Sequence, residues 1–176
     1  MRNILASLLL TVAAVGFVTA GTGIPGAQAG SKKYTLNNAV GKNSIAFVSD
    51  APMEKINGTA DGVSGSFMLD VANLESTTGR IEVKVETMKT ANSKRDDHMY
   101  SEMWLHESAH PKISLDVKSL KEVKVVTKDE RSVVTAKAVG TFTAHGVSKP
   151  STADITISYI TESAETKKRA TGNLVM

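Results

Sequence analysis

Apolar and polar residues alternate one by one along much of this chain, a pattern that suits a strand with one face buried and the other in water. Ile81-Glu82-Val83-Lys84-Val85-Glu86 and Ile113-Ser114-Leu115-Asp116-Val117-Lys118 each set three apolar side chains on one face. Similar runs span Ser44 to Ser49, Val63 to Val71, Glu122 to Thr127, Val133 to Thr143 and Ala153 to Ile160, with a weaker one from Tyr34 to Asn37. Asn57-Gly58, Asp61-Gly62, Lys128-Asp129-Glu130 and His145-Gly146 read as the turns between them. Seven or eight short antiparallel strands predict an all-β domain, either a sandwich or an up-and-down barrel. Only Lys94 to Glu107 reads as helix, with Met99, Met103 and His106 at three- and four-residue intervals.

The first 29 residues predict a secretory leader. Arg2 supplies the positive end, Ile4 to Val18 the apolar run, and Ala27-Gln28-Ala29 a small-x-small cleavage site before Gly30. The apolar run is shorter than the ~20 residues needed to span a bilayer, so no stable membrane span is expected. Residues 30–176 then form one domain, periplasmic or secreted. Cysteine is absent, which removes disulfides, thiolate metal sites and a cysteine nucleophile. Losing Arg2 with the leader takes the formal charge from +3 to +2. The remaining lysines and arginines are mixed with acids, an arrangement that disfavours nucleic acid as a partner.

Three of the four histidines fall between Arg95 and Pro111. His106-Glu107-Ser108-Ala109-His110 matches H-E-x-x-H, in which one helix face carries two imidazoles to zinc and the glutamate serves as general base. That geometry needs a regular helix through both histidines. Pro111 opposes it, because its ring crowds the carbonyl of Glu107 and biases His110 out of the α region. No G-x-S-x-G, S-x-x-K or phosphate-cradling glycine loop is present. The chain is therefore expected to be no enzyme and to need no cofactor or metal, with a zinc hydrolase on His106, Glu107 and His110 as the alternative.

Several short motifs, in order, resemble the YceI-like family. They are Ser44-Ile45-Ala46-Phe47; Ala51-Pro52-Met53-Glu54-Lys55-Ile56-Asn57-Gly58-Thr59; Val63-x-Gly65-x-Phe67; Arg95-Asp96-x-His98-Met99; Trp104-Leu105; His110-Pro111-x-Ile113-x-Leu115; and Gly140-Thr141-Phe142-Thr143-Ala144-His145-Gly146-Val147-Ser148-Lys149-Pro150. The resemblance implies an antiparallel up-and-down, lipocalin-like barrel with one short helix, binding a polyisoprenoid lipid. It also implies that one or two closing strands would follow Gly172-Asn173-Leu174-Val175-Met176, so the barrel is either incompletely closed here or the chain is cut short.

On this reading the ligand is an isoprenoid-type lipid, either a polyprenyl phosphate or an isoprenoid quinone. One face of each strand supplies the wall: Ile45, Phe47, Phe67, Leu69, Ile81, Val83, Val85, Ile113, Leu115, Val117, Ile155, Ile157 and Tyr159. Met99, Met103, Trp104 and Leu105 stand at the mouth, and Arg95, Asp96 and His98 orient the polar head. The plain alternative makes the wall residues simple core, with Asp96 capping the helix and Arg95 paired to a neighbouring acid. Ala136, Ala138 and Gly140, alternating on one strand, either leave room for a ligand or meet bulky residues opposite. An open barrel edge predicts a homodimer or a ligand-free interaction module.

Overall fold

The computed structural model describes residues 22–38, 43–52, 54–168 and 174–175. In chain order the elements are β1 (Ser31–Thr35), β2 (Ile45–Ala51), β3 (Glu54–Ala60), β4 (Val63–Asp70), β5 (Thr78–Lys84), α1 (Ser93–Tyr100), β6 (Lys112–Lys128), β7 (Arg131–Ala144), β8 (Val147–Ile160) and β9 (Leu174–Val175). Seven strands pair in the order β1-β4-β5-β6-β7-β8-β9, every pair antiparallel. The run from β4 to β8 is up-and-down, as expected. The hairpin of β2 and β3 lies outside this sheet and is tied to the segment after β5 by the reciprocal backbone bonds of Thr59 and Lys89. The sheet curls into a lipocalin-like barrel, bringing Tyr34 of β1 and Tyr159 of β8 to the wall of one cavity.

Register follows the alternation. Val63, Val83 and Ile113 align across β4, β5 and β6; Gly65, Ile81 and Leu115 form the next row. On β7 the inward set is Ser132, Val134, Ala136, Ala138 and Gly140, all buried, and it meets Tyr159, Ile157, Ile155, Ala153 and Ser151 of β8. His145 (φ 49°) and Gly146 (φ 70°) make the two-residue turn between those strands, a geometry in which both central residues take positive φ.

Several boundaries depart from expectation. The two runs either side of Lys118–Lys121 are one 17-residue strand, β6. Register shifts between Val117 and Ser119 and between Lys121 and Lys124 change which residues face inward, so the alternation breaks while the strand continues. Asn57-Gly58 is not a turn but lies inside β3, where Gly58 opposes Phe47. A Cβ at Gly58 would stand 2.1 Å from the Phe47 ring, so the glycine makes room for an aromatic cross-strand partner. Val147 to Thr152 extend β8 through Pro150, which is tolerated because among the described residues the side of β8 away from β7 is paired only at Tyr159 and Ile160. Helix α1 is capped by the Asn92 side chain, which accepts from Arg95 N, rather than by Asp96. It ends at Tyr100, where the Ser101 hydroxyl and amide both donate to the His98 carbonyl and compete with the next helical bond.

The core has three parts. At one end Leu69, Val71, Leu74, Val125, Val134 and Tyr159 pack with Ile24. In the middle Ala136 and Ala138 meet Val117, Leu120, Phe67, Leu115 and Ile155. At the other end the β2–β3 hairpin and α1 close over Ala60, Val83 and Met88.

Candidate functional site

The expected wall residues are distributed over all three clusters. Phe67, Leu115, Val117 and Ile155 belong to the central cluster, Ile157 bridges it to the Tyr159 end, and Leu69 lies in the Tyr159 cluster. Ile45, Phe47, Val83, Ile113, Met99 and Leu105 are gathered at the opposite end. Ile81 is half-buried in its row between Gly65 and Leu115. Val85 is buried in a 3-10 turn after β5 instead of continuing the strand. The small residues Ala136 and Ala138 meet bulky partners, so the middle of the barrel is filled.

Of the expected mouth residues, Met99 and Leu105 join the cluster at that end, whereas Met103 and Trp104 stand apart. Met103 is 88% exposed and Trp104 65%, and neither joins an apolar cluster. Trp104→Ala is expected to change unfolding free energy by no more than about 0.5 kcal/mol, as for other exposed positions; a urea melt showing a larger loss would mean that the ring has a partner in solution. His98 is exposed on α1.

Arg95 and Asp96 converge on Thr90. The Asp96 carboxylate accepts from the Thr90 amide at 2.8 Å and its hydroxyl at 2.6 Å. Arg95 donates from Nε to the Thr90 hydroxyl and from Nη2 to the Thr90 carbonyl, both at 2.9 Å. Its Nη1 reaches Glu54 of β3 at 2.8 Å. Burial pushes the Asp96 carboxyl up, but the two Thr90 bonds together with the charges of Lys89 and Arg95 outweigh it and hold the group below the usual carboxylate range. These contacts fasten α1 to the segment after β5 and to the hairpin.

The H-E-x-x-H geometry fails at its first requirement. His106 lies beyond α1 with φ 49°, and the His110 amide closes a tight turn onto the His106 carbonyl at 2.7 Å. The two imidazoles therefore share no helix face. Instead the His106, His110 and His145 rings gather at centroid separations of 5.2–6.1 Å, with His110 lying over Gly146. Among the described residues, no three histidine, aspartate or glutamate side chains are arranged to hold a metal ion.

A cavity lies elsewhere in the fold. It has a volume of about 280 Å³ and sits where β1 faces β8 across the curled sheet. Tyr34, Val71, Tyr159, Lys32 and Thr161 line it, and the segment from Ile24 to Gln28 supplies another wall. Burial and the neighbouring Tyr159 raise the Tyr34 phenol above its ordinary value. Of these residues only Tyr159 is among the wall residues expected from the sequence. Ile24 falls within the predicted leader, and Lys32, Tyr34 and Thr161 meet only through pairings between distant parts of the chain.

The chain is similar to several known proteins. The chain is 32% identical over 98 residues to the UPF0312 protein of Pseudomonas savastanoi pv. phaseolicola, covering 54% of this chain and 45% of that protein, and matches the UPF0312 protein of Pseudomonas syringae pv. syringae equally. It thus spans about half the length of these curated relatives. Among solved structures, a mutant YceI protein of Campylobacter jejuni is 22% identical with a TM-score of 0.44, covering 75% of this chain and 70% of that one. Burkholderia cenocepacia BcnA is 12% identical with a TM-score of 0.43, covering 68% and 66%. Because residues 34–175 match the YceI-like domain, the chain belongs to the YceI-like family.

Proposed function

We propose that this protein is an exported carrier that holds an isoprenoid-type lipid, a polyprenyl phosphate or an isoprenoid quinone, without doing chemistry on it. The observation that carries the reading is the apolar inner face of the curled sheet, whose Val71 and Tyr159 end borders a cavity beside Tyr34. Each methylene taken out of water there contributes roughly 0.8 kcal/mol, so a few isoprene units suffice for micromolar binding after ordering costs. Membership of the YceI-like family supports the same ligand class. Among the described residues no helix is long and apolar enough to cross a membrane. The predicted leader supports delivery to the periplasm. Native mass spectrometry of protein recovered from its own periplasm should show a co-purifying lipid of isoprenoid mass. A protein that is always empty and takes up no polyprenyl lipid in vitro would remove this function.

A further inference from the structure

The cavity wall includes residues that the expected cut after Ala29 would remove. Ile24 is 8% exposed and packs inside the barrel against Leu69, Val71, Leu74, Val125, Val134 and Tyr159. Its amide donates to the Val71 carbonyl at 2.7 Å, and the Thr22 carbonyl accepts from the Leu74 amide at 2.6 Å. Gly23 runs so close to Ala72 that a Cβ would stand 2.2 Å from its carbonyl oxygen. A branched apolar side chain from the leader therefore occupies the end of the barrel interior, seated by backbone bonds on both sides.

We infer that the leader segment from Thr22 to Gln28 is an internal plug of the lipid site, and that cleavage after Ala29 opens the cavity beside β1 to an isoprenoid tail. This rests on the lipid-carrier and export readings above. At about 280 Å³ the plugged cavity falls just below the ~300–1,000 Å³ typical of small-molecule sites. Withdrawing Ile24, Pro25, Gly26, Ala27 and Gln28 removes five of its lining residues and joins it to the hole that Ile24 leaves among the core residues. The exposed hole is apolar and shaped for a branched hydrocarbon, which an isoprene unit provides. Lys32 and Thr161 remain at its border to face an oxygen-rich head. Binding competence would then arise only after the leader has been removed, that is, outside the cytoplasm.

The test compares two forms, one beginning at Gly30 as the processed protein does, the other at Thr22 and so retaining every residue the structure describes. Farnesyl phosphate is the probe, titrated into each by calorimetry, with circular dichroism confirming that both are folded. The form from Gly30 should bind at least tenfold more tightly. Ile24→Ala in the longer form should recover part of the difference, because it empties the slot while keeping the segment. Equal affinities for the two forms would overturn the plug while leaving the lipid-carrier reading intact. Absence of binding by either form, both being folded, would overturn the two together.

Discussion

Gly140→Ala is expected to destabilise the protein by about 3 kcal/mol, near the top of the usual range for overpacking, and to lower Tm by roughly 8 °C. Gly140 pairs with Val117 just before the first irregularity of β6. A Cβ there would lie 2.0 Å from the backbone oxygen of Asp116, 2.9 Å from its carbonyl carbon and 3.1 Å from Val117 Cα. Those neighbours are main chain and cannot rotate aside, so β6 and β7 would have to separate in the centre of the sheet. Thr135→Ala, on the exposed face of the same strand, serves as the comparison and should stay within about 0.5 kcal/mol. If the two variants melt together in urea, the close approach of β6 and β7 is absent in solution. In the sequence Gly140 reads as the last of three alternating small residues that either leave room for a ligand or meet bulky residues opposite; in the fold its smallness serves contact between two strands.

The same contrast explains which parts of this protein could be read from its sequence. Strands with one wet face announce themselves because burial imposes a period of two, and β4, β5, β7 and the first half of β6 were all visible in that way. Where the backbone bulges, as between Lys121 and Lys124, the period slips and one strand looks like two. Where a glycine is needed for a neighbour's ring, as at Gly58 beneath Phe47, strand interior imitates a turn. The histidine motif failed for the opposite reason: its spacing implies metal binding only if a helix carries it, and the helix had already ended at Tyr100. The cavity was the least legible feature. Its walls come from β1, the segment after β4, the end of β8 and a stretch set aside as leader, and no local pattern links Ile24 to Tyr159.

Removing the Asp96 carboxylate should be about as costly as crowding Gly140, and the cost should depend on pH. Asp96→Ala leaves the Thr90 amide and hydroxyl without their acceptor in a buried position, and it strips Arg95 of a neighbouring negative charge. Unpaired buried donors cost about 1–3 kcal/mol, and bonds to an ionised partner are at the upper end, so a loss of about 3 kcal/mol is expected at pH 7. The folded protein holds this carboxyl below its ordinary value, whereas in the unfolded chain it titrates near ~3.9. The unfolded state therefore binds more protons in the interval between the two. The charge-dependent part of the stabilisation is complete above the unfolded value and fades as pH falls through the folded one. Glu82 acts in the same direction, held down by Lys112 and Arg80 against the effect of its own burial, and adds to the acid sensitivity. Urea melts of the native protein and of Asp96→Ala at pH 7 and at pH 3 should show the gap between them narrowing in acid. A gap of equal size at both pH values would mean that Asp96 stabilises by shape alone, and that the fastening of α1 to Thr90 owes nothing to its charge.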